Sequence, residues 1–342
     1  MSSTTEVPIP ADLAARYVRT PGGRNWLARL PELIRGNVER WGLDVDLVPG
    51  EIPWNGHGAI VIPVVRGQEP AVLKVAYPHD EARVERQALT LWNGRGAVRL
   101  LESDEDSCSM LLQRLDAFRS LQTVPMDEAR EAWAAVVGRL SLTPDLRSEW
   151  FELNHIAARA EQWSDDLPAE WERLGRPFPR WLLEAALEVC QVRGAVGRRA
   201  GHDVLVHTDL HYLNILAVPG ANSTDHGTRY AAIDPQPMIG EAEFAVAPLL
   251  WNRIRDLPAS DPESALRQRC TDFSLTAGLD PEAARQWSLT REVDNALSYA
   301  ATPGHEGDMA RSLWVASTLA GQTLGNLPHA HGLPEPGDDV RS

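Results

Sequence analysis

A chain of 342 residues exceeds the usual size of a single hydrophobic core, so the sequence predicts two lobes. Its formal net charge of −15 excludes general nucleic-acid binding, which needs a basic footprint, and suits solubility or a cationic small substrate. Cys108, Cys190 and Cys270 have neither metal-type spacing nor an even count, and neither a long apolar span nor a basic-then-apolar leader occurs, so the expectation is a cytoplasmic protein with buried thiols and no membrane segment.

Residues 11–19 and 25–41 carry helical periodicity, with Trp26, Leu30, Leu33, Ile34, Val38 and Trp41 on one stripe and Pro21-Gly22-Gly23 as the break between them. Pro31 should sit near the first turn or kink the helix. Residues 44–49, 59–66 and 71–76 read as strands of an antiparallel meander. Asn55-Gly56-His57-Gly58 has the composition of a hairpin turn and equally of a loop whose backbone N–H groups approach phosphates.

Lys74 lies inside the apolar run Val72-Leu73-Lys74-Val75-Ala76, where it either reaches solvent at a strand edge or needs a partner for its ammonium. A helix over residues 79–94 offers that partner. On it Glu81 and Glu85 share a face, and Glu85 borders the apolar positions Ala88, Leu89 and Trp92. Two more strands, 96–102 and 109–113, flank the acidic turn 103–107. The pattern then passes through Gln113-Arg114-Leu115 and changes from strands to helices at Asp116, the expected lobe boundary, where a hinge would offer backbone groups to a purine.

Helical periods follow over 126–140, 153–164 and 180–199, with Ser164-Asp165-Asp166-Leu167-Pro168 predicted as a cap and turn. Pro235-Gln236-Pro237 is predicted to force an extended turn. Four further helices are expected over 244–252, 262–278, 281–300 and 305–324, and the closing GLPEPGDDVRS as a loose tail.

Residues 205–234 carry the chemistry. A short apolar strand leads into His207-Thr208-Asp209-Leu210-His211, then come Asn214, a second strand, a polar loop and a third apolar run ending on Asp234. An Asp, an Asn five residues later and an Asp after a hairpin would gather three oxygen side chains around one point. That set fits phosphoryl transfer, with Asp209 taking the proton of an acceptor hydroxyl and Asn214 and Asp234 holding Mg²⁺ against nucleotide phosphates. His207 and His211 read as loop-pinning groups, because zinc would need a third nitrogen or sulfur ligand. No nucleophile elbow and no GxxxxGK[ST] motif occurs, which excludes a serine hydrolase and a Walker-type NTPase.

The run His207 to Asn214, followed by Ile233-Asp234-Pro235, resembles the HxDxxxxN and metal-binding Asp motifs of the aminoglycoside phosphotransferase family. Gly23-Arg24-Asn25-Trp26-Leu27, Leu73-Lys74-Val75, the stretch Ala88 to Leu101 and Leu249-Leu250-Trp251-Asn252-Arg253 are similar to its branch of streptomycin 6-phosphotransferases and hydroxyurea phosphotransferases. The resemblance implies an α+β, protein-kinase-like bilobal fold: a nucleotide-binding lobe over 1–115, a helical lobe with catalytic loop and acceptor site over 116–335, and a tail over 336–342. It implies ATP or GTP as co-substrate, Mg²⁺ as cofactor, and O-phosphorylation of a small molecule. Asp209 becomes the base, Asn214 and Asp234 the metal ligands, Lys74 the phosphate contact, Glu85 its ion-pair partner, and Gln113, Arg114 and Leu115 the adenine-facing hinge.

Some residues depart from the pattern. Gly240-Glu241-Ala242-Glu243-Phe244-Ala245 stands where the branch has a GDPxYD-like stretch, which puts Ala245 at its second acidic position, and Thr208, Tyr212 and Leu213 are bulkier than usual. These changes bear on the acceptor. Glu241, Trp251 and Asn252 are the candidate acceptor contacts, and each also fits a packing role. The expected acceptor is an aminoglycoside or other sugar-containing antibiotic, with a nucleoside antibiotic, a free sugar or hydroxyurea as alternatives. A protein kinase is disfavoured because Asp234-Pro235-Gln236 replaces DFG and no APE follows. A silent binding module is disfavoured because it would not need the whole set of Lys74, Glu85, Asp209, Asn214 and Asp234.

Overall fold

Thr20 decides where the first long helix begins. Its Oγ1 accepts the Gly23 N–H at 3.1 Å, so Pro21-Gly22-Gly23, expected as a break, instead forms the first turn of Pro21–Trp41. Pro21 costs nothing there because a first-turn residue has no intrahelical donor to lose. The computed structural model describes residues 7–48, 50–78, 80–194, 202–220 and 228–335. The chain divides into two compact units, one of residues 1–116 and 218–231, the other of 117–217 and 232–342.

The first unit is built on an antiparallel sheet in the order Leu43–Val45, Ala59–Arg66, Glu69–Ala76, Ser109–Gln113, Leu100–Asp104, with Trp54–Asn55 paired to Ala59–Arg66. Alternation turns Ala71, Leu73 and Val75 to one face, where they pack with Ile60, Ile62, Val64, Trp26, Leu30 and Ile34. Lys74 therefore faces the other way. It stands opposite Val61 and Met110 on a central strand, so the strand-edge alternative is excluded. The Asn55–Gly58 loop closes as a hairpin turn, Gly56 N–H donating to the Ala59 carbonyl at 3.0 Å, and Arg16 donates to the carbonyls of Gly56 and His57.

The second unit holds the helices Met126–Leu140, Ile156–Arg173, Arg180–Arg193, Pro262–Thr276, Pro281–Ala300 and Glu306–Leu319. Asp261 and Asp280 cap two of them, accepting from Ser264 N at 3.1 Å and Glu282 N at 2.9 Å. Several expectations are corrected. Helix Ile156–Arg173 runs straight through Ser164–Pro168, because Ile156, Ala160, Trp163, Leu167 and Trp171 form one buried stripe. An interior proline costs about 3 kcal/mol, and each large apolar side chain buried returns about 1.5–3 kcal/mol, so the stripe wins. Strand Asp116–Ser120 follows the expected boundary where helices were predicted; its middle residues are exposed and leave no apolar alternation to read. The expected 244–252 helix is split into a 3₁₀ turn, Ala242–Val246, and Ala247–Trp251. The last helix stops at Leu319, and the closing segment starts tied down, with Leu333 buried and Glu335 paired to Arg255 at 2.8 Å. Residues 195–199 of the predicted helix, 221–227 of the polar loop and the tail 336–342 lie outside the described residues.

Pro235-Gln236-Pro237 is more than a turn. Pro237 opens a strand, Pro237–Gly240, paired antiparallel to Val204–His207, and proline is tolerated at a strand's first residue. This pairing places the loop after His207. At its far end a Cβ on Gly240 would lie 2.8 Å from Ile156 Cβ, so Gly240→Ala should cost about 1–3 kcal/mol. A urea unfolding midpoint that does not fall in this variant would contradict the close approach.

Candidate active site

In the first unit, the Lys74 ammonium sits 2.7 Å from both carboxylate oxygens of Glu85. The two residues are 7% and 5% exposed, so the pair is removed from solvent while its charges compensate each other. Helix Asp80–Trp92 presents Glu85 beside the buried Ala88, Leu89 and Trp92, as the periodicity requires. The hinge residues are differently employed. Gln113 spends its N–H on the Arg99 carbonyl at 2.9 Å, and Leu115 is buried. Arg114 turns its guanidinium to the sheet, donating to the carbonyls of Ala71 at 3.1 Å and Val64 at 2.7 Å and to the Asp46 carboxylate at 2.7 Å.

In the second unit, a polar loop hangs between Val204–His207 and Ile215–Ala217. His207 pins it. Its Nε2–H donates to the Ile233 carbonyl at 2.9 Å and its Nδ1 accepts the Asp209 N–H at 3.2 Å, which only a neutral imidazole can do at once. The Thr208 hydroxyl donates to the Gln236 carbonyl at 2.6 Å, and the Trp133 indole N–H to the Leu210 carbonyl at 3.2 Å. Thr208 and Tyr212 are buried, so among the bulkier residues of the loop Leu213, 52% exposed, is the one that faces out.

Asn214 is turned toward Asp209. Its Nδ2 donates to the Asp209 carbonyl at 2.9 Å and lies 3.3 Å from the Asp209 Oδ2. Committing the amide nitrogen this way makes Asn214 Oδ1 the atom of that side chain suited to a cation. Asp234 is brought alongside, because Ile233 N–H donates to the Asn214 carbonyl at 2.9 Å. It is exposed and adopts φ +53, a left-handed backbone that Asp tolerates better than most residues and that often marks functional sites. Among the described residues no group of three His, Cys, Asp or Glu side chains forms a metal cluster. Two oxygen donors do fit Mg²⁺, which is bound through one or two carboxylate-type ligands with substrate phosphates and water, and they do not fit zinc.

Burial pushes the His207 imidazole down to about 4. The unfolded chain takes up a proton at higher pH than the native one, so this stability is fully present above about pH 6.5 and is lost as pH falls toward about 4, on the order of 3 kcal/mol. Urea midpoints measured from about pH 7 down to about pH 4.5 should drop accordingly in the wild type and less in His207→Gln. The His207 ring signals should also not titrate near neutral pH.

The candidate acceptor contacts are held inside the second unit. Glu241 receives Arg193 at 3.1 and 3.2 Å and the Trp287 indole N–H at 2.6 Å. The Trp251 ring stacks on Tyr299 with centroids 6.2 Å apart, and its N–H donates to the Ser312 hydroxyl at 2.9 Å. The Asn252 Nδ2 donates to the Pro248 carbonyl at 2.8 Å. Arg253, next in sequence, ties its guanidinium to the carbonyls of Leu121 and Val124, both at 3.0 Å.

Helix Pro281–Ala300 adds two residues absent from the sequence-based expectations, of which Arg291 reaches the site. Arg291 donates to the Thr208 carbonyl and stands 3.7 Å from the Asp209 carboxylate. Glu292 is 1% exposed, and burial pushes its carboxyl up to about 7. The signal was present, since Glu292 falls in register with the apolar Leu289, Val293 and Ala296, where a charged residue needs a reason.

The fold is protein-kinase-like and α+β. It is shared with a thermostable mutant of aminoglycoside phosphotransferase APH(4)-Ia solved with ADP and hygromycin B, at a TM-score of 0.54 and 14% identity over 84% of this chain and 96% of that one. The family model "Aminoglycoside/hydroxyurea antibiotic resistance kinase" matches residues 44–302, and the chain belongs to that family of phosphotransferases. It is similar to streptomycin 6-kinase of Streptomyces glaucescens, 35% identical over 87% of this chain and 92% of the relative. It is also similar to hydroxyurea phosphotransferase of Kitasatospora aureofaciens, 34% identical over 92% of this chain and 87% of the relative. Among the described residues no helix is long and apolar enough to cross a membrane.

Proposed function

We propose that this chain moves the γ-phosphoryl group of ATP or GTP onto a hydroxyl of a small antibiotic, an aminoglycoside or another sugar-containing compound. The observation that carries the reading is the coupling of Asp209 to Asn214. One amide orients the carboxylate through its nitrogen and keeps its oxygen for a cation, so proton acceptance and phosphate neutralisation are organised by the same side chain. The names of the similar proteins, streptomycin 6-kinase and hydroxyurea phosphotransferase, supply the acceptor classes.

In this reaction Asp209 takes the proton of the acceptor hydroxyl as its oxygen bonds to the γ-phosphorus, and the bond to the β-phosphate oxygen breaks, releasing the nucleoside diphosphate. Lys74, held by Glu85, meets the phosphates, and the Gln113–Leu115 segment meets the purine, with Arg114 and Leu115 the better candidates because the Gln113 N–H is spent on the Arg99 carbonyl. Asn214 and Asp234 would hold Mg²⁺, whose charge offsets that of the phosphates when it is bound. Glu241, Trp251 and Asn252 would act on the acceptor chiefly through the elements they brace, given their bonds within the fold.

Nucleoside diphosphate release, followed with ATP and with GTP against streptomycin, other aminoglycosides, nucleoside antibiotics, hexosamines and hydroxyurea, tests this reading. Acceptor-dependent release with at least one antibiotic is the expected result. Release that no acceptor stimulates would sink it.

A further inference from the structure

We infer that Arg291 is a positioning residue for the candidate base, an inference that rests on the proposed role of Asp209. Its guanidinium reaches the catalytic loop at two adjacent residues, donating through Nη1 to the Thr208 carbonyl and placing Nη2 3.7 Å from Asp209 Oδ1. The cation is itself held in place. It lies 5.6 Å from the centroid of the Phe244 ring, and Phe244 is buried between Trp287 and Trp163 at centroid distances of 5.4 and 6.3 Å. Helix Pro281–Ala300 supplies both Arg291 and Trp287, so the arginine is set by a packed element rather than by a loop.

The geometry around Asp209 has two sides. Oδ2 faces Asn214 Nδ2 at 3.3 Å and His211 Nε2 at 3.6 Å, while Oδ1 faces Arg291. At 3.7 Å the contact to Arg291 is longer than a hydrogen bond, so it orients Oδ1 without occupying its lone pair. A tight bidentate pair would have blocked the oxygen that must accept a proton. A planar fork can bond a carbonyl and face a carboxylate at once, which a lysine ammonium on a flexible stem does poorly.

The test compares Arg291→Ala, Arg291→Lys and Arg291→Gln with wild type on the best acceptor, with Asp209→Asn as reference and thermal unfolding recorded for each. A base displaced by about 1 Å loses on the order of 10²-fold in rate. The expected result is therefore a kcat lower by about 10²-fold in Arg291→Ala and about 10-fold in Arg291→Lys, with both KM values held within about threefold and millimolar guanidinium restoring part of the Arg291→Ala rate. If Arg291→Ala does not fold, Lys and Gln, which keep most of the volume, decide by the same criterion. A kcat near wild type in the folded variants overturns the inference, as does a rise in acceptor KM at unchanged kcat, which would make Arg291 an acceptor contact. Asp209→Asn separates the two levels: if it is inactive while the Arg291 variants keep full kcat, only the positioning role falls, and if it keeps wild-type activity, the base assignment falls first.

Discussion

Asp209→Asn is expected to lower kcat by about 10²–10⁴-fold, the usual contribution of a positioned general base. The substitution keeps the volume and planarity of the side chain, so the loop should survive it. His207 pins the loop through the Asp209 backbone N–H, and Asn214 bonds the Asp209 carbonyl, neither of which involves the carboxylate. What is lost is the carboxylate proposed to accept the proton. Nucleotide affinity, measured by calorimetric titration, should remain within a few-fold of wild type, and the thermal unfolding midpoint should barely move. A variant that turns over at the wild-type rate would remove the base role, whereas one that also fails to bind nucleotide would mean that Asp209 does more than accept a proton.

Lys74→Met should be the most damaging change to the first unit. It leaves the Glu85 carboxylate, 5% exposed, without its cation, and breaking a buried pair on one side costs about 3–5 kcal/mol. Phosphoryl transfer should fall with it. The double change Lys74→Met with Glu85→Leu separates these effects, because replacing both charges by apolar groups is often neutral for stability. The unfolding free energy should return most of the way to wild type while transfer stays lost. Transfer recovering together with stability would assign the pair a purely structural role.

Lys74, Glu85 and Asp209 are legible in the amino-acid sequence alone. Lys74 stood out because nothing else polar interrupts its apolar run, and Glu85 because helical spacing set it at the rim of a packing face. Asp209, Asn214 and Asp234 were legible for a related reason: polar residues at short fixed offsets between apolar strands have few structural uses. Arg291 is not, since one residue of a twenty-residue helix carries no offset to a distant loop, and only packing brings Arg291 onto Thr208 and Asp209.

The fold divides the same way. Ala59–Arg66, Ser109–Gln113, Met126–Leu140 and Pro281–Ala300 were read to their ends because each shows one clean period. Structure departs from the local pattern where a local signal competes with burial. Ser164–Pro168 has the residues of a turn and lies inside a helix, because Leu167 and Trp171 are worth more buried than the proline costs. Pro21-Gly22-Gly23 has the residues of a break and forms a helical first turn, because Thr20 caps it. Strand Pro237–Gly240 exists by virtue of its partner Val204–His207, and pairing of that kind has no local signature in a four-residue segment opened by proline.

Mass spectrometry of the acceptor after incubation with nucleoside triphosphate and Mg²⁺, run with wild type and with Asp209→Asn, bears most directly on the proposed reaction. One phosphoryl group gained on an aminoglycoside or related antibiotic with wild type, and none on the same timescale with the folded, nucleotide-binding variant, is the predicted result. An acceptor left unmodified by wild type across the panel, or modified equally by both proteins, would contradict it.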